Sequence, residues 1–191
     1  MKTMELEPQN FKRMLPLPVT VITTMDANGT ANAAPYGCVM PILRPLDLIA
    51  ITSALPRDTL RNIRETRQFV VNVIGWPRFR EAMQTAKNYP PGVNELEEVG
   101  LEALPSKKVS PPRMKDALGW MEAELSEEIL REKFSLIIGQ VVCAEINDAF
   151  AESGKLTEMP ALMLSREYRL VGDRVLGDIT ESVRLFQPNF K

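Results

Sequence analysis

Ser53, Arg57 and Thr59 stand just ahead of an amphipathic run that begins at Leu60. Two hydroxyls and a guanidinium at the start of a helix can hold an anion, because first-turn backbone N–H groups add partial positive charge there. Upstream, Thr30-Ala-Asn-Ala-Ala-Pro-Tyr-Gly-Cys38 is built of small and polar residues with a single aromatic, Tyr36. Such a run lets a flat ligand approach the backbone. Downstream, Phe69-Val-Val-Asn-Val-Ile74 carries the amide of Asn72 through an apolar strand. Types and spacing together point to a flat ligand bearing an anionic group.

The missing residue type narrows the chemistry further. There is no histidine, and the two cysteines, Cys38 and Cys143, lie far apart and match no CxxC spacing. A zinc site or a histidine-ligated haem is therefore hard to build. Ser-His-Asp and Cys-His nucleophilic catalysis are excluded, as is the usual general base of neutral pH. If the chain is an enzyme, a cofactor is expected to carry its chemistry. Cys38 is expected to be a small buried hydrophobe rather than a redox thiol. Each other piece also has a plain structural reading: Asp58 or Thr59 as a helix cap, Asn62 and Asn72 as exposed amides, Tyr36 as a core aromatic.

The elements that must position these residues read as short strands with few helices. Val19–Met25 is β-branched and threonine-rich, and Asp26-Ala-Asn-Gly29 suits a hairpin turn into a strand over Thr30–Ala34. Further strands are expected at Tyr36–Met40, Leu46–Thr52, Phe69–Ile74, Trp120–Leu125 and Phe134–Ile146, and a terminal pair at Met159–Leu164 and Tyr168–Leu176. Helices are expected at Leu60–Thr66, at Trp76–Asn88 behind Pro77, and as a short turn at Asn94–Gly100. Residues 101–119 read as an irregular excursion with a short strand near Val109. No regular βα alternation and no GxGxxG or Walker-type loop is present, so the pattern predicts a mainly β, closed or sandwiched antiparallel sheet and not a Rossmann fold.

Length and composition agree. The 191 residues suit one domain with a sizeable core, 45% are hydrophobic, and the net charge is −2. With a pI near 5.4 there is no basic excess for nucleic acid. No apolar run is long enough to span a membrane, and the acidic amino terminus does not read as a signal peptide, so a cytoplasmic location is expected.

The series Thr-Val-Ile-Thr-Thr, Asp-Ala-Asn-Gly, Asn-Ala-Ala-Pro-Tyr-Gly, Arg-Asp-Thr-Leu-Arg-Asn-Ile-Arg-Glu-Thr and Phe-Val-Val-Asn resembles the flavin reductase-like family of FMN-binding split barrels, over roughly residues 12–176. That resemblance implies an antiparallel split β-barrel with peripheral helices. It implies an isoalloxazine lined by Asn32, Ala33, Ala34, Pro35, Tyr36, Gly37 and Cys38, largely through backbone groups. It gives the FMN phosphate to Ser53, Arg57 and Thr59, counts Asp58 among the cofactor-binding residues, and places Asn72 on the strand beneath. The chain departs from the family pattern at Gly37-Cys38, where a serine often follows the aromatic, which makes Cys38 the candidate substitute. The implied activity is NAD(P)H-dependent flavin reduction, with NADH or NADPH as reductant and a homodimer as the working form. A flavin-bearing electron carrier and a flavin-binding sensory module are the alternatives. The apolar tail, residues 177–191, is expected to pack against the partner subunit.

Overall fold

The computed structural model describes residues 3–43, 46–90, 92–164 and 167–170. After a 3-10 turn (Pro8–Met14) come β1 (Leu17–Pro18), β2 (Thr20–Met25), β3 (Ala31–Tyr36), β4 (Val39–Pro41) and β5 (Leu48–Ala54). Helix α1 (Asp58–Thr66) precedes β6 (Gln68–Val73), and the short helices α2 (Phe79–Gln84) and α3 (Glu95–Glu98) follow it. The excursion holds only β7 (Ala103–Leu104) and β8 (Arg113–Met114) before the long strands β9 (Gly119–Leu130) and β10 (Phe134–Ile146). A 3-10 turn (Asp148–Phe150), β11 (Ala151–Glu152), β12 (Lys155–Leu156), β13 (Ala161–Leu164) and β14 (Glu167–Leu170) complete the described chain.

Seven strands form one curled antiparallel sheet in the order β3-β2-β6-β9-β10-β5-β4, and β1, β13 and β14 form a second. This is the mainly β split barrel expected from the sequence, with helices at its periphery. The strands are apolar on both faces because both faces are covered. Val21 and Val70 point into one cluster with Ile74, Phe79, Leu96, Met114 and Trp120, beneath α2, α3 and the excursion. Their neighbours Ile22, Phe69 and Val71 point into the other, with Leu60 and Ile63 of α1 as its plug. Gly139 on β10 is required by that plugged side: a Cβ there would lie 2.5 Å from Cζ of Phe69.

Several local expectations are corrected. The strand with the small residues does not break at Ala34 but continues through Pro35 to Tyr36, which it can do because β3 is an edge strand and needs no N–H from Pro35 on its outer side. The helix expected over Trp76–Asn88 is confined to Phe79–Gln84, and Thr85 turns its hydroxyl back onto the carbonyl of Ala82 at 2.7 Å. Residues 85–89 are thereby released to wall the cleft described below. No strand forms at Val109. The backbone around it is instead caught by side chains of the barrel: Lys107 and Lys108 N–H donate to the Glu122 carboxylate, and Ser110 N–H to Gln68. The remainder of the last expected strand, residues 171–176, and the tail 177–191 lie outside the described residues.

Candidate functional site

A cleft of about 280 Å³ opens between β3, the start of α1, the segment after α2, and α3. Three elements place its walls. The edge strand β3 brings Asn32 to Tyr36, the turn into α1 brings Arg57, Asp58 and Thr59, and the segment after α2 brings Lys87, Asn88 and Tyr89.

Helix α1 begins at Asp58 with Arg57 as its N-cap residue, and no side chain caps its first turn. The expected capping by Asp58 or Thr59 is thus corrected: Asp58 lies inside the first turn and pairs with Arg61 at 2.7 Å. Its first-turn N–H groups therefore lack a side-chain cap and are suited to an anion. Arg57 and Lys87 are exposed cations at the cleft, and neither enters an ion pair among the described residues.

Opposite them sits Glu95, buried although it is the first residue of α3. Its Oε2 accepts the Ala33 N–H at 2.9 Å. The Asn32 amide lies between Glu95 Oε1 and Thr59 Oγ1, 3.2 Å from each. Burial pushes the Glu95 carboxyl above its ordinary range, partly offset by the backbone bond from Ala33, while Asp58 adds to the rise. The Ala33 N–H points away from β2 to reach Glu95, and alternation puts Pro35, which has no N–H, on that same side. The outer edge of β3 therefore offers carbonyl oxygens to a ligand.

Of the residues singled out in the sequence, Asn32, Ala33, Ala34, Pro35, Tyr36, Arg57, Asp58 and Thr59 come together at this cleft. Gly37 lines a smaller adjoining cleft of about 180 Å³, with Pro18, Thr20, Met83 and Met163. Ser53 is buried behind the wall and shares a 2.9 Å hydrogen bond with the Tyr36 hydroxyl, so it holds the aromatic in place. Cys38 is exposed, which corrects its reading as a buried hydrophobe, and it lines neither cleft. Asn72 is not at the cleft and is not an exposed amide. It is fully buried, donates to Val21 O and Thr23 Oγ1, and accepts the Met114 N–H at 2.7 Å, so every polar atom of its side chain serves the fold. Asn62 is likewise buried, donating to Thr24 Oγ1 at 3.1 Å. Sequence reasoning missed Lys87, Asn88, Tyr89 and Glu95. The one available signal was the helix break at Tyr89-Pro-Pro-Gly92, which marks a loop able to carry function.

Residues 11–172 match the family described as the flavin reductase like domain, and the chain belongs to that family. A protein of Methanothermobacter thermautotrophicus is 44% identical over 146 residues, covering 73% of this chain and 69% of its own. Among solved structures, nitrilotriacetate monooxygenase component B from Bacillus cereus superposes with a TM-score of 0.82 at 26% identity, covering 92% of this chain and 99% of that one. Flavoredoxin of Desulfovibrio vulgaris (Miyazaki F) gives 0.83 at 18% identity, over 95% and 100% of the two chains, a likeness of fold. The cleft fits the flavin that the family implies. Unpaired cations beside an uncapped helix start suit a phosphate, and the small residues of β3 leave room for a planar ring beside carbonyl acceptors.

Proposed function

We propose that this protein is a flavoprotein oxidoreductase that binds FMN in the β3–α1 cleft and reduces it with NADH or NADPH. The observation that carries this reading is the uncapped start of α1, with Arg57 and Thr59 beside it and Lys87 on the segment facing it. One phosphate needs about that many donors, each charge-assisted bond being worth roughly 1.5–3 kcal/mol. Two phosphates would need more.

Arg57 and Lys87 neutralise the phosphate, and Thr59 meets it from the first turn of α1. Ala33 and Pro35 present backbone carbonyls to the polar edge of the ring, while Tyr36, braced by Ser53, walls the cleft. A bound flavin supplies a two-electron acceptor that can take hydride directly from a nicotinamide. The chain then has to position and shield rather than move protons, which suits a protein without histidine. The resemblance that brings the flavin also brings a homodimer, with the described chain forming one flavin-binding domain per subunit. No helix among the described residues is long and apolar enough to cross a membrane, in keeping with a cytoplasmic enzyme.

The test is a visible spectrum of the purified protein, followed by NADH and NADPH oxidation with FMN added. Flavin bands with steady nicotinamide consumption support the reductase. Bound flavin that is reduced only by light or by a partner protein would instead make the chain an electron carrier.

A further inference from the structure

We propose that Glu95 is a positioning residue for the ligand's phosphate, acting through the Asn32 amide to decide whether Thr59 meets that anion as a donor or as an acceptor. The proposal rests on the reading of this cleft as a flavin phosphate site. The geometry is a three-member chain. Asn32 lies 3.2 Å from Glu95 Oε1 on one side and 3.2 Å from Thr59 Oγ1 on the other, and all three residues are buried and line the cleft.

An amide has one donor end and one acceptor end, so it can serve this chain in two ways. An ionised Glu95 only accepts, and it draws the Asn32 NH₂ toward itself. The Asn32 oxygen then turns to Thr59 and accepts a hydrogen bond from its hydroxyl, which leaves Thr59 Oγ1 with lone pairs toward the cleft. A phosphate oxygen arriving there is repelled. A protonated Glu95 donates from Oε1 to the Asn32 oxygen. The amide turns over, its NH₂ donates to Thr59 Oγ1, and the Thr59 hydrogen is free to donate to the phosphate. Glu95 Oε2 holds the Ala33 N–H at 2.9 Å in both arrangements; in the first the Asn32 oxygen, 3.1 Å away, shares that N–H, and in the second Glu95 holds it alone while its proton comes and goes. Anion binding is thereby coupled to uptake of one proton at Glu95.

The surroundings make the neutral form accessible. Burial raises the Glu95 carboxyl above its ordinary range, and Asp58 raises it further. The titratable and charged groups that share its two adjoining cavities are Asp26 of the β2–β3 turn, Arg57, Asp58 and Arg61 at the start of α1, and Lys87 and Tyr89 after α2. An arriving phosphate adds negative charge to this set and so favours the protonated carboxyl.

The experiment compares FMN with riboflavin, which lacks the phosphate, by fluorescence titration from pH 5 to 9 on the full chain. In the wild type, affinity for FMN should fall about tenfold relative to Glu95→Gln as pH climbs through the raised Glu95 value, the equivalent of one charge-assisted bond. Glu95→Gln keeps both hydrogen bonds in the protonated pattern and should hold its FMN affinity at high pH. Thr59→Val, which has no hydroxyl to turn, should bind FMN weakly and lose the difference between high and low pH. Riboflavin should bind all three alike. Parallel FMN curves for wild type and Glu95→Gln overturn the relay while leaving the flavin site standing, as does an equal pH loss for riboflavin. Absence of saturable binding of either flavin at any pH overturns the site itself, and the relay with it.

Discussion

Two clusters of arginine and acid, one on β8, β9 and β10 and the other at the cleft between β3 and α1, are finished differently. In the first, Arg113 of β8 is almost fully enclosed and spends its guanidinium on Glu122 at 2.6 Å, on Glu145 at 2.5 Å and on the sulfur of Cys143 at 3.3 Å, with its plane over the Trp120 ring. Lys107 completes the group through Glu145. Burial works against the charge on Arg113, but its bonds to Glu145 and Glu122 outweigh that and shift it further toward the charged form. In the second, Arg57 and Lys87 face a cleft with no acid paired to them, while the nearby acid, Glu95, is bonded to an amide and a backbone N–H instead. A charge that is paired inside the protein supports the fold. A charge held apart from its complement is available for something that arrives from outside.

The largest expected effect tests the closed cluster. Arg113→Ala strands the buried Glu122 carboxylate and should lower unfolding free energy by about 3–5 kcal/mol in a denaturant titration. A loss within 0.5 kcal/mol would mean that the cluster is not what holds the excursion. The open cluster should respond the other way round. Arg57→Ala should cost tenfold or more in FMN affinity, leave riboflavin unchanged, and move stability by no more than about 0.5 kcal/mol. Equal loss for both flavins would remove Arg57 from the phosphate site. Lys87→Ala should give a smaller, few-fold loss of FMN affinity that shrinks as salt is raised, because an exposed ammonium acts through a screened field. A salt-independent loss would point to a packing role.

The smallest effect sharpens the contrast through its sign. Glu145 is held below its ordinary range by Lys107 and Arg113, so its contribution to stability is present above about pH 4.5 and is lost as pH falls through the depressed value. Glu95 is shifted upward, so the free protein should lose stability as pH rises from about 4.5 through the raised value. Denaturation at intermediate acid pH should therefore show Glu95→Gln removing the second slope, whereas Glu145→Gln removes the first. Two variants with the same slope would erase the distinction between the clusters.

What could be read in the sequence followed the same division. The barrel strands and α1 were visible because β-branched runs and an amphipathic repeat declare themselves locally. Arg57 and Thr59 were visible because an anion site at a helix start is also local. Glu95 and Lys87 were not, since an acid in a short helix and a lysine in a loop look like ordinary solvated charge until tertiary packing turns one inward and leaves the other unpaired. Asn72 misled for the converse reason. A polar side chain in an apolar strand looks like a ligand contact, yet its three bonds run to Val21, Thr23 and Met114, which no local pattern reveals. Cys38 misled because its exposure depends on the corner between β3 and β4, not on its own chemistry.

The excursion between α3 and β9 has almost no strand pairing of its own, yet much of it is buried. Its backbone is held by Asn72 and Gln68 of β6, Glu122 of β9 and Thr23 of β2, the last reaching the Pro112 carbonyl from 89 residues away. These fastenings exist only after three distant strands have met, so the segment has little reason to order early. In folding it should be a late arrival, and under native conditions it should open before the barrel does, its amides exchanging with deuterium as one group ahead of those in β6 and β9.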